Sequence, residues 1–229
     1  TVYQTTRIRF YFSLFSCSSF ILLVIIAMIF YPGSTYIDHS TVGYHFFKNY
    51  FSDLGRTVTH GGELNTYSSY IFAVALTLVG SGFASFYITT SKLFNNRSTR
   101  TYYFSRFGTL LAIVSGIGFI GVGWTPSDTA FDLHLTFVKI AFRSLMLVMI
   151  LYGFCFYFNK DGLPRWLAGV YIFLGFMLVY YVYLMIWGPD GRTPEGLPIQ
   201  VAWQKIIVFA IGISVIVQAL GMINHIKKI

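Results

Sequence analysis

Six long apolar stretches limit this chain more than any other feature. They run over about residues 9–31, 66–93, 101–125, 131–158, 164–188 and 200–225, each with roughly 20 or more mostly apolar residues, enough for an α-helix to cross a hydrocarbon layer of about 30 Å. Within such a layer a backbone must satisfy its own N–H and C=O groups, so stretches of this length read as spanning helices. With 55% of 229 residues apolar and only 10% charged, the composition lies well outside that of soluble domains. The expected fold is all-α, a polytopic membrane protein whose six-transmembrane-helix bundle forms one domain over 1–229.

The net charge of +8 invites a nucleic-acid reading, but its distribution argues otherwise. Arg7, Arg9, Lys92, Arg97, Arg100, Arg106, Lys160, Arg165, Lys227 and Lys228 all flank the end of the bundle that carries both termini. Of the acidic residues only Asp161 joins them, while Asp38, Asp53, Glu63, Asp128, Asp132, Asp190 and Glu195 lie at the opposite end. The positive-inside rule makes the terminal end cytoplasmic. The charge is then an orientation signal, nucleic acid is not an expected partner, and any chemistry faces outward.

In the first helix Arg7 and Arg9 precede an apolar core that runs to Tyr31-Pro32-Gly33, too long for a secretory leader, and it reads as a retained anchor. Cys17 and Cys155 have no metal-spaced neighbour and read as packing residues. The one long connection, 32–65, reads as an outer lid. Val42, Phe46, Phe47, Tyr50, Phe51 and Leu54 recur there at helical spacing, which predicts a short amphipathic helix from Ser40 to Leu54, ended by Gly55, and His39 and His45 read as surface residues of the lid. Gly80, Gly82, Gly108, Ala112, Gly116 and Gly118 are small residues of the kind that let helices approach closely in lipid. They form no phosphate loop, for no Gly-Lys-Ser/Thr follows.

The fourth stretch carries charge into the membrane. Asp132, Thr136, Lys139 and Arg143 fall within about 60° of one another on one helical face, and Arg143 lies roughly 16 Å beyond Asp132. Ionisable groups at such depth usually face a bundle interior or a wet cavity. The expectation is an outward-opening polar pocket lined by Asp132, Thr136, Lys139 and Arg143, with Lys205 of the sixth helix facing the stripe, that takes a lipid headgroup or an amphipathic anion. The segment Thr129-Ala-Phe-Asp132 also has the form of a capping box, which accounts for Asp132 without any function.

Two further constellations are possible. Ser52, Asp53, His60 and His134 contain the parts of an activated nucleophile, and Asp53, His60, Asp128 and His134 are a donor set for a divalent metal. No His-x-x-x-His, His-Glu-x-x-His or Cys-x-x-Cys spacing accompanies them.

Phe51-Ser-Asp-Leu-Gly55, Asn65 at the start of the second helix, and Gly123-Trp-Thr-Pro-Ser-Asp128 followed by His134 resemble the pattern of the bacterial and archaeal membrane family catalogued as domain of unknown function 998. A shorter likeness, Gly-x-x-Pro-x-Asp followed by His, is similar to the damage-regulated autophagy modulator and Sfk group of six-helix proteins linked to lipid handling. The first resemblance implies a fold, a prokaryotic plasma membrane, and the candidate positions Ser52, Asp53, Asn65, Asp128 and His134. It implies no activity. The functional readings are therefore a membrane protein that binds lipid, a non-enzymatic accessory subunit that packs against another membrane protein, and a metal-dependent or serine hydrolase acting on lipid. A proton-coupled transporter ranks last, since no internal repeat is seen.

Overall fold

The structure is a computed structural model that describes residues 2–95, 98–159 and 162–227. Arg97, Lys160, Asp161 and Lys228, which enter the charge tally above, lie outside the described residues. Six helices follow one another: α1 (Val2–Phe30), α2 (Thr66–Lys92), α3 (Thr99–Trp124), α4 (Phe131–Tyr157), α5 (Leu167–Trp187) and α6 (Gly196–Ile226). All six are long and apolar enough to cross a membrane. Each packs against its neighbours in sequence, and α1 packs against α6, so the helices close into a ring. Contacts are thinnest around α5.

Small residues bring the backbones together where the glycine spacing says they should. A Cβ at Gly80 would lie 2.5 Å from the carbonyl oxygen of Gly116, and one at Gly118 would lie 2.8 Å from the backbone nitrogen of Ala141. Polar side chains then join helices at these crossings. Ser115 donates to the Ala141 carbonyl at 2.9 Å, Ser13 of α1 to the Gly82 carbonyl at 3.1 Å, and Tyr152 of α4 to the Tyr87 carbonyl at 3.2 Å. Cys17 and Cys155 are buried among the core side chains.

The lid departs from its expected form. No helix runs from Ser40 to Leu54. The segment makes a turn at His45, whose carbonyl accepts from Lys48 and Asn49, then an extended Tyr50, then a five-residue 3-10 helix over Phe51–Gly55. The reason is that the polar side of the pattern faces the protein. Asn49 and Asp53 are buried at 0% and 3% exposure, whereas Val42 and Phe47 point outward. An antiparallel bridge between Gly33 and Val42, with Gly43 in the left-handed region at φ 72°, folds the first half of the lid back on itself.

The capping box at the start of α4 does not form either. The N-cap is Ala130, with no side-chain cap bond, and the Thr129 hydroxyl turns back to the Pro126 carbonyl. Asp132 still sits in the first turn, where a carboxylate suits the helix dipole.

Candidate functional site

The lid is anchored on Asp53. One carboxylate oxygen accepts from the Tyr50 N–H at 2.9 Å and from Asn49 Nδ2 at 3.1 Å, and the other meets His60 Nε2 at 3.1 Å. Asn49 also donates to the Ser34 carbonyl at 2.8 Å, tying the two halves of the lid together. The 3-10 turn sets this geometry because it directs Asp53 inward beneath its own backbone.

Lys205 reaches this cluster from α6. Its ammonium is fully buried and donates to the carbonyls of Asn49 and Val201, under the rings of Tyr44 and Phe46 at 5.4 and 5.2 Å. Backbone carbonyls and aromatic faces are what a buried cation needs when no carboxylate touches it. The neighbouring Gln204 accepts from the Phe51 N–H at 2.7 Å. Lys205 is therefore a clamp between α6 and the lid, and it does not face the Asp132 stripe as expected.

Asn65, Asp128 and His134, three further positions that the sequence resemblance implies, are spent chiefly on backbone groups. Asn65 Nδ2 donates to the carbonyls of Leu54 at 3.1 Å and Arg56 at 2.8 Å. Asp128 accepts from the N–H groups of Thr57 and Val58 and from the Thr57 hydroxyl, pinning the strap that follows the 3-10 turn to the α3–α4 connection. Partial burial pushes the Asp128 carboxyl up, but the bonds from Thr57 and Val58 outweigh it and hold the group below its ordinary value. His134, 3% exposed, sits 2.7 Å from the Thr125 carbonyl through Nδ1, so that nitrogen carries the proton and closes the α3–α4 turn.

These positions do not assemble into the two constellations expected from the sequence. Asp53 and His60 pair, but Asp128 and His134 are engaged elsewhere, and among the described residues no group of three or more His, Cys, Asp or Glu side chains is placed to hold a metal ion. Among the described residues Ser52 makes no hydrogen bond to His60 or His134. Its side chain lines a chamber under the lid with Gln204, Phe20, Phe72, Phe119 and Phe142, of about 30 Å³, room for about one water. A nucleophile needs a base within hydrogen-bond reach, and Ser52 has none.

The charged stripe lies where the sequence reading did not put it. Asp132, Thr136, Lys139 and Arg143 are all exposed on the outer face of α4, and the face turned to the core carries His134, Val138, Ala141, Phe142 and Leu145. None of the four lines the chamber that holds Ser52. Within the stripe the Thr136 hydroxyl returns to the Asp132 carbonyl at 2.8 Å, and among the described residues neither Lys139 nor Arg143 has a hydrogen bond or ion pair. Further down α4 an open apolar groove of about 390 Å³ runs between α4 and α5, lined by Met149, Ile150, Phe154, Ile172 and Phe176 and deepened by Gly153 and Gly175. At 100° per residue, Ile150 and Phe154 fall within about 20° of Arg143, so the groove continues the cationic face.

The sequence carries no signal for Asn49 as a centre of the lid, and it marks Lys205 as an intramembrane cation facing the Asp132 stripe rather than as the clamp of the lid. Over residues 24–221 the chain matches the model of a family described as protein of unknown function (DUF998). No curated protein and no solved structure matches it.

Proposed function

Because the chain belongs to the DUF998 family, whose description assigns no activity, its own side chains must indicate what it does, and we propose that it is a membrane-embedded, non-enzymatic binding protein for an anionic lipid held along the outer face of α4. The observation that carries this reading is the placement of Arg143. On a helix of 27 residues, about 40 Å long, it lies about 18 Å from the start, exposed and without a partner among the described residues. A helical side chain slants toward the N-terminus, so Lys139 can lift its ammonium to the interface at the lid end. Arg143 starts one turn deeper and reaches the interface less completely. An unpaired charge there is costly, and a phosphate drawn down the helix removes the cost. The planar guanidinium matches phosphate by paired hydrogen bonds, with Lys139 above it as a second, point-like cation. The acyl chain below the phosphate then meets the α4–α5 groove, whose lining is apolar throughout. The basic residues at the terminal end support a cytoplasmic placement of that end, with the lid outside a prokaryotic plasma membrane.

The test is native mass spectrometry of the protein released from nanodiscs that contain phosphatidylglycerol and phosphatidylcholine. Wild type retains phosphatidylglycerol preferentially, and Arg143→Gln loses roughly tenfold or more of that preference, the worth of one charge-assisted bond. Equal retention of both lipids by wild type would overturn the reading.

A second reading, the accessory subunit, is favoured by one observation. Among the described residues the acidic side chains lie between the spanning helices or in the first turn of α4, so none of them in a second copy reaches the depth of Arg143. A protein partner there would be a different membrane protein with an acid in a spanning helix. A photo-crosslinker at Leu147, one turn from Arg143 on the exposed face, separates the two: lipid adducts support the first reading and a polypeptide adduct the second.

A further inference from the structure

A second concavity lies at the lid end, on the side of α2 and α3 and away from the α4–α5 groove. It has a volume of about 370 Å³, within the range of small-ligand sites. The strap and the approach to α2 supply Thr57 and Leu64, the first two turns of α2 supply Thr66 and Tyr70, the end of α3 supplies Trp124, and the α3–α4 connection supplies Pro126. Its chemistry is distinctive in two respects.

First, no charged side chain lines it. The neighbouring carboxylate, Asp128, is engaged by three donors, the N–H groups of Thr57 and Val58 and the Thr57 hydroxyl, which hold the strap as a fixed wall. A ligand that depends on ionic contacts has nothing to meet here. Second, the lining pairs aromatic faces with hydroxyl groups. Trp124 is 55% exposed, yet its indole N–H donates to the Thr77 hydroxyl at 3.0 Å, which fixes the ring and leaves a face open. Tyr70 is 62% exposed, and the hydroxyls of Tyr70 and Thr66 have no partner among the described residues, so each can donate and accept. An interfacial aromatic belt accounts for exposed Trp and Tyr. It does not account for an indole held in one orientation at the wall of a hydroxyl-lined concavity.

We propose that this groove binds a neutral sugar ring, with its apolar face against Trp124 and its hydroxyls bonded to Thr66 and Tyr70. The ring arrives either as a free glycoside or as the headgroup of a glycolipid, since the groove opens where α2 and α3 reach the end of the bundle. A lipid so held is uncharged, and its site is independent of Arg143.

Two arms test this and distinguish the sources. In the first, the protein in a sugar-free detergent is titrated with methyl β-glucoside while tryptophan fluorescence is followed, with Trp124→Phe as the control that assigns the signal. In the second, nanodiscs containing glucosyl diacylglycerol and plain diacylglycerol are analysed for retained lipid by native mass spectrometry. A saturable change in the first arm that Trp124→Phe removes identifies a free sugar as ligand. Preference for the glucosylated lipid in the second arm alone identifies a glycolipid. In either case the exposed double substitution Thr66→Val, Tyr70→Phe lowers binding by about tenfold or more, the loss of two hydrogen bonds, while its melting temperature stays near wild type. Arg143→Gln leaves sugar binding unchanged. No response in either arm, or binding indifferent to the double substitution, overturns the proposal.

Discussion

At the scale of single residues, polar side chains decide how the lid is held. Replacing Lys205 by Met removes a buried ammonium and leaves the Asn49 carbonyl without its donor, a loss of about 1–3 kcal/mol that a melt in detergent reads as a lowered transition. The lid between Pro32 and Asn65 should also become more open to protease, because the same ammonium ties it to α6. Asp128 gives a pH dependence of defined sign. Its folded-state pKa is lowered from 3.8, so its contribution is complete above that value and is lost as the pH falls through the folded value. Hydrogen exchange at the Val58 amide should therefore be level from neutral to mildly acid solution and rise only below the ordinary carboxylate range. In Asp128→Ala the amide should be open at every pH. Because that carboxylate is only partly buried, the overall cost of Asp128→Ala is only about 1 kcal/mol.

At the scale of elements, the helices were legible and the lid was not, for a physical reason. A spanning helix is specified by length and hydropathy, both of which survive in a bare sequence, and α2, expected over 66–93, runs over Thr66–Lys92. The glycines of α2 and α3 were legible too, since a close crossing in lipid needs them. Gly116→Val should force these backbones apart and cost about 1–3 kcal/mol, measurable as reduced thermal stability in detergent. The lid, by contrast, is shaped by long-range bonds. Helical spacing of its apolar residues suggested an amphipathic helix, but Asn49 bonds to residues 15 positions earlier and 4 later and so selects turns. The spacing of Asp132, Thr136, Lys139 and Arg143 correctly put them on one face. Periodicity states that residues share a side; it is silent on whether that side is inside the ring or outside, and the apolar face of α4 took the inner position.

At the scale of the whole molecule, the parts divide the labour. One end of a ring of six helices is closed by a polar lid, its hydrogen-bonding groups largely satisfied within the fold, and two open concavities lie on the perimeter. The side chains that the sequence resemblance singles out, Asp53, Asn65, Asp128 and His134, hold that lid and the connection beneath it, while Arg143 has no partner among the described residues on the outside. The groove between α4 and α5 should matter as much as the cation above it. Filling it with Ile172→Trp, at an exposed position, should reduce lipid retention while leaving the melting temperature near wild type. The most direct measurement is the lipid carried by Arg143→Gln and by wild type when both are extracted from the same phosphatidylglycerol-containing nanodiscs and weighed intact. Bound phosphatidylglycerol on wild type that falls about tenfold or more in the variant, with phosphatidylcholine unchanged, is the predicted result. The same phosphatidylglycerol occupancy on both proteins would contradict the account.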